Sequence, residues 1–75
     1  INFYPNPVID EINITVNDNF IGSEYMILDA IGRKVLSGRL DNENNKIKTN
    51  HLQEGIFIMQ IGKQNNKQIF KFIKT

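Results

Sequence analysis

Seventy-five residues with a formal charge of +1, 23% charged side chains and no cysteine describe one small domain, near the size at which a single core leaves only a few kcal/mol of net stability. So short a chain has no room for a catalytic cleft and its scaffold, and it has neither disulfides nor thiolate metal sites, although an oxidising compartment stays open. No apolar run reaches about 18 residues and no signal-peptide pattern opens the chain, so it is expected neither to insert directly into a membrane nor to direct its own export, and a start at Ile1 reads as a piece of a longer protein.

In chain order, Phe3-Tyr4-Pro5-Asn6-Pro7 comes first. Two prolines one residue apart lock two φ angles and push Tyr4 and Asn6 toward extended backbone. The result is a stiff leading segment that suits a sheet only at its edge. Glu11 to Asn17 then alternates, with Ile12, Ile14 and Val16 inward and Asn13, Thr15 and Asn17 outward, as in a half-buried strand. Asp18-Asn19 ends it, and Phe20 to Ser23 is a connection broken at Gly22.

Two runs, 24–29 and 33–40, flank Asp29-Ala30-Ile31-Gly32, where Asp caps the first turn position and Gly at the fourth accepts positive φ. A three-residue loop with a glycine bulge pairs Ile27 with Val35 and Asp29 with Arg33. Tyr25, Ile27 and Val35 then face the core, while Met26, Leu28 and Leu36 make an opposite face more apolar than solvent exposure requires. Either a partner or another part of the chain covers that face, or it belongs with the scattered apolar residues normal on surfaces.

Asp41 to Asn45 reads as a polar turn, Ile47 and Thr49 begin a short extended segment, and Leu52 plugs the end of the core before Gly55. Gly55 to Lys74 is a hairpin about Asn65-Asn66, because Asn tolerates the left-handed backbone of a two-residue turn. Counting outward pairs Ile61 with Phe70, Gln60 with Lys71, Met59 with Phe72 and Ile58 with Ile73. One face carries Phe57, Met59, Ile61, Phe70 and Phe72; the other carries Gln60 and Lys71 among isoleucines. Short strands, Asn or Gly at each connection and no helical stripe predict an all-β fold, an immunoglobulin-like sandwich of about seven antiparallel strands forming one domain over residues 1–75.

Candidate chemistry is sparse. His51 is the sole histidine and has no clustered carboxylates around it in sequence. Asp10, Glu11 and Asp29 suit turn caps and solvated charge better than an acid–base pair, since nothing excludes water around them. Ser23 and Ser37 lack a base at recognisable spacing, the five glycines lie singly, and Met26 and Met59 read as core filler. Charge is divided, with Arg33, Lys34 and Arg39 against seven acids in residues 1–45 and six lysines against Glu54 in residues 46–75. Those lysines alternate with apolar residues as strand surfaces do, so nucleic acid is not expected as a partner. No catalytic activity, cofactor or metal is expected.

Tyr4-Pro5-Asn6-Pro7 is followed by Asp10, Ile12 and Ile14, then by Asp29-x-x-Gly32-Arg33-x-Val35, Ile47-x-Thr49, Leu52-x-x-Gly55-Ile56-Phe57 and a lysine-flanked last strand at Lys71 to Lys74. Each motif alone is weak. In this order and spacing, over the whole length, they resemble the type A C-terminal sorting domain of the type IX secretion system of Bacteroidetes bacteria. Phe57 stands where that family usually has Tyr, and Val8 where a smaller residue is common.

The resemblance implies a sorting signal at the C-terminus of a larger secreted protein, and a stop codon directly after Thr75. Its cargo would reach the periplasm on an N-terminal signal peptide and cross the outer membrane to the cell surface or the medium. The implied partners are the outer-membrane translocon, its shuttle proteins and a sortase-like cysteine protease that removes the domain, often joining the cargo to lipopolysaccharide. Carried over by motif, the recognition residues are Pro5, Asn6, Pro7, Asp29, Gly32, Gly55, Lys71, Phe72, Ile73, Lys74 and Thr75. Asp29, Gly32 and Gly55 equally suit a folding role, because each sits where backbone geometry demands its type. Lysines on the final strand suit addition of a partner strand at its edge. The alternative is an immunoglobulin-like adhesion or carbohydrate-binding module, for which exposed aromatics are expected, whereas the seven here mostly map inward. The cargo, its anchoring, the cleavage site and a homodimer are left open by the sequence.

Overall fold

The computed structural model describes residues 1–62 and 66–75. Its strands are β1 (Asn2–Tyr4), β2 (Glu11–Thr15), β3 (Glu24–Leu28), β4 (Lys34–Arg39), β5 (Asn44–Lys48), β6 (Gly55–Ile61) and β7 (Gln68–Lys74), with one 3₁₀ turn at Asp18–Phe20. They form two antiparallel sheets, ordered β1-β2-β5 and β4-β3-β6-β7. Connections β2–β3, β4–β5 and β5–β6 cross between the sheets, which gives the expected all-β, immunoglobulin-like sandwich.

The core follows from alternation. Ile12, Ile14 and Val16 point inward from β2 and its extension, Ile47 from β5, and Ile27, Phe57, Met59, Ile61 and Phe72 from the second sheet. Leu40 fills the crossover after β4, and Leu52 closes the end of the core, as expected. Phe57 and Phe72, opposite each other on β6 and β7, stack with centroids 5.6 Å apart. Phe3 of β1 meets Phe70 of β7 edge-to-face at 5.0 Å and closes one margin between the sheets. As the prolines imply, β1 lies at a sheet edge. Beyond Pro7 the chain changes sheets, and Val8 makes a single parallel bridge to Lys74 of β7.

Three expectations are corrected. β6 and β7 pair Ile61 with Gln68, Gln60 with Ile69, Met59 with Phe70, Ile58 with Lys71 and Ile56 with Ile73, two residues from the expected register. At Gly62, φ is +101° and the N–H donates to the Glu24 carbonyl of β3 at 3.0 Å, so β6 ends at Ile61, and β7 begins at Gln68. Asn65 of the expected turn lies outside the described residues. Side chains alternate with period two, so a slip of two leaves every residue on its expected face.

In the β3–β4 hairpin, Asp29 and Arg33 do pair, the Asp29 N–H donating to the Arg33 carbonyl at 2.8 Å. Next, however, Leu28 faces Lys34 and Ile27 faces Leu36, which leaves Val35 as the extra residue of a bulge. Val35 and Leu36 both pack on the core in consequence, and Leu36 is not on the outer face. Lastly, β5 begins at Asn44 instead of near Ile47. Pairing with β2 recruits the asparagines, and Thr15 Oγ1 donates to Asn44 Oδ1 at 3.0 Å, so cross-strand partners override the poor β-propensity of Asn.

Candidate recognition site

The residues singled out along the sequence lie at one end of the sandwich. There the β3–β4 turn, the start of β6 and the end of β7 meet the segment that follows Pro7, because the antiparallel ladders place Leu28 by Ile58 and Gly55 by Lys74, and a parallel bridge sets Val8 by Lys74. Two clusters result.

The first is a clasp between the ends of the chain. Asn6 Oδ1 accepts the Ile73 N–H at 3.2 Å, the Val8 N–H donates to the Ile73 carbonyl at 2.7 Å, and the Thr75 N–H donates to the Val8 carbonyl at 2.8 Å. The outer edge of β7 is therefore occupied from Ile73 to Thr75. Pro5, Asn6, Pro7, Lys71, Ile73 and Thr75 are exposed, whereas Phe72 and Lys74 are buried. The notion of a wholly exposed lysine edge on the last strand fails at Lys74. It shares the inward face with Phe72, so its stem lies against the core while Nζ reaches the Thr75 carbonyl at 3.1 Å.

The second cluster is the β3–β4 turn. Asp29 Oδ1 accepts the N–H groups of Ile31 at 3.1 Å and Arg33 at 2.8 Å, and Oδ2 pairs with Arg33 Nε at 2.9 Å. Gly32 takes φ +89° with its N–H on the Asp29 carbonyl at 2.9 Å, a backbone state that any L side chain strains. The Arg33 N–H holds the Asp29 carboxyl below its ordinary range against a partial loss of hydration, and the Arg33 guanidinium and the Ile31 N–H add to the effect. This hydrogen-bonded turn carries Ile31 into solvent at 83% exposure. Asp29, Ile31 and Val35 share a shallow groove of about 490 Å³ with His51, Gly55 and Phe57.

Among the described residues, no three His, Cys, Asp or Glu gather where they could hold a metal ion, and no helix is long and apolar enough to cross a membrane. Of the aromatics only Tyr4, at 57%, is exposed. Sequence reasoning noted Val8 only as a departure from the family pattern, yet it is fully buried and joins the leading segment to β7, while the neighbouring Ile9 is exposed. It placed Thr49 in an extended segment without anticipating its burial, and its Oγ1 has no hydrogen-bond partner among the described residues.

Nothing among the curated proteins or the solved structures matches the chain. A family model described as "Secretion system C-terminal sorting domain" matches residues 2–75. With almost every residue covered by one model, and the all-β sandwich in place, the chain belongs to the family of type IX secretion system C-terminal sorting domains.

Proposed function

We propose that this domain is an address read by the outer-membrane translocon and its shuttle proteins, and that it carries an attached cargo from the periplasm to the cell surface or the medium. A sortase-like cysteine protease then removes it, so the domain is substrate and not catalyst. The observation that carries this reading is the family match over residues 2–75. Membership bears on the sorting role in general, while translocation and cleavage of this cargo are steps to be measured.

Within that reading, the recognition residues are the exposed Pro5, Asn6, Pro7, Ile73 and Thr75 at the clasp and Lys71 on the open stretch of β7, with the Asp29–Gly32 turn and Gly55 beside them. Phe72 and Lys74 support these by packing. A partner strand would find the edge of β7 at Ile69 to Lys71, since the clasp occupies the rest.

The test is a fusion of signal peptide, reporter and residues 1–75, expressed in a bacterium that carries this secretion system. Reporter at the surface or in the medium is expected. Reporter held in the periplasm with the domain folded rejects the reading. Deleting Lys71 to Thr75 would not separate recognition from folding, because Phe72 and Lys74 leave with it. Lys71→Ala does separate them, with export lowered while the unfolding midpoint holds.

A further inference from the structure

The outer face of the β4-β3-β6-β7 sheet, turned away from the core, has no element over it among the described residues. Alternation places Met26, Leu28, Ile56, Ile58, Ile69 and Ile73 there, and Ile56, Ile69 and Ile73 are 50%, 60% and 46% exposed. The register sets them side by side: Ile56 lies opposite Ile73, Leu28 opposite Ile58, and Gln60 between Met26 and Ile69. The solvated face of an antiparallel sheet ordinarily reads polar. Apolar side chains in adjoining rows are the mark of an interaction surface, unlike apolar residues scattered singly.

Charge identifies the partner. Lys34 and Lys71 stand at the two ends of the Leu28–Ile58 row. A shallow cavity of about 670 Å³ over Met26, Ser37 and Gln60 has Arg39 and Lys67 on its walls, with Glu24 as its one carboxylate. We infer that this face docks a protein partner through an apolar strip flanked by carboxylates. A second copy is disfavoured, because a two-fold contact would run the row against itself and set Lys34 of one copy at Lys71 of the other, like charges inside a desolvated contact. A lipid surface fits less well, since Ile56, Ile58 and Ile73 are each packed to half or more against their neighbours, which leaves Ile69, at 60%, as the one mostly exposed isoleucine among the described residues of this face to enter acyl chains.

The inference deepens the sorting reading by naming the surface through which the machinery holds the domain, and it is tested apart from that reading. The isotope-labelled chain is titrated by NMR with a synthetic peptide alternating isoleucine and glutamate, and with a counterpart carrying lysine in place of glutamate. Expected are amide shifts confined to the face around Ile56, Ile69 and Ile73, at least tenfold weaker affinity for the lysine peptide, and loss of binding in Lys34→Glu/Lys71→Glu. Absent shifts, shifts elsewhere, indifference to peptide charge, self-association through this face, or a stronger response to phosphatidylglycerol vesicles each overturn it. In cells, Ile56→Thr and Ile69→Thr should keep the unfolding midpoint and cut export of the fused reporter at least tenfold. Undiminished export of both variants rejects the face and leaves the sorting role standing. If the unaltered fusion is not exported, the sorting role falls and the titration still decides the face.

Discussion

Thr49 is fully buried, and its hydroxyl has no partner among the described residues even though its backbone N–H donates to the Asp10 carbonyl at 2.8 Å. An unpaired buried hydroxyl costs about 1–3 kcal/mol, and valine has nearly the same shape. Thr49→Val is therefore expected to raise stability by about 1 kcal/mol in urea denaturation; a loss would mean that the hydroxyl is satisfied in solution. At Asp29 the effect depends on pH. Its carboxyl titrates lower folded than unfolded, so it contributes stability above about pH 4, and that contribution fades as pH falls through the folded value. Urea midpoints measured from neutral pH downward should drop on the acid side, and less steeply in Asp29→Asn. An unchanged slope in that variant would remove Asp29 from the account. Gly38 shows a different constraint. A Cβ there would lie 2.6 Å from the Tyr25 hydroxyl, since Tyr25 sits opposite it and lays its ring across the gap.

Among the elements, β7 carries the most consequence. It pairs with β6 along its whole length, stacks Phe72 on Phe57, and at its end clasps Asn6 and Val8. Phe72 is 1% exposed, so Phe72→Ala should cost about 3–5 kcal/mol. Asn6→Ala breaks one hydrogen bond at the surface and should cost about 1 kcal/mol. The pair of values, read by chemical denaturation, separates packing from clasping. A loss at Asn6 as large as that at Phe72 would show that the clasp and not the core holds β7. The β6–β7 faces could be read from the sequence while their register could not, because the face depends on parity alone and the register on where Gly62 turns the chain.

For the molecule as a whole, both sheets share one core, and Val8 ties the leading segment into it. At roughly 0.05–0.15 kcal/mol per residue such a domain carries about 4–11 kcal/mol, so one Phe72→Ala removes much of the total. Unfolding should be a single transition, with tyrosine fluorescence and far-UV circular dichroism falling together. Separate midpoints would mean that the sheets melt independently. The same topology gathers residues 5–8, 29–32, 55 and 71–75 at one end although they span the chain. This is why a reading of motifs in order named the family without locating a surface.

Alternating polarity in Glu11–Asn17 and Gly55–Lys74, and Asp and Gly at the ends of the 29–32 turn, are local properties. Through them the sequence by itself determined these strands, their two-sided packing and the geometry of the β3–β4 turn. Pairing depends on partners distant along the chain, and only the tertiary structure decided it. The bulge that turns Leu36 inward, the burial of Lys74, the use of the β7 edge by Asn6 and Val8, and the open apolar side of the second sheet each arise where two remote segments meet. No residue type records that meeting in advance, because the burial of a side chain is fixed by what the folded chain lays over it.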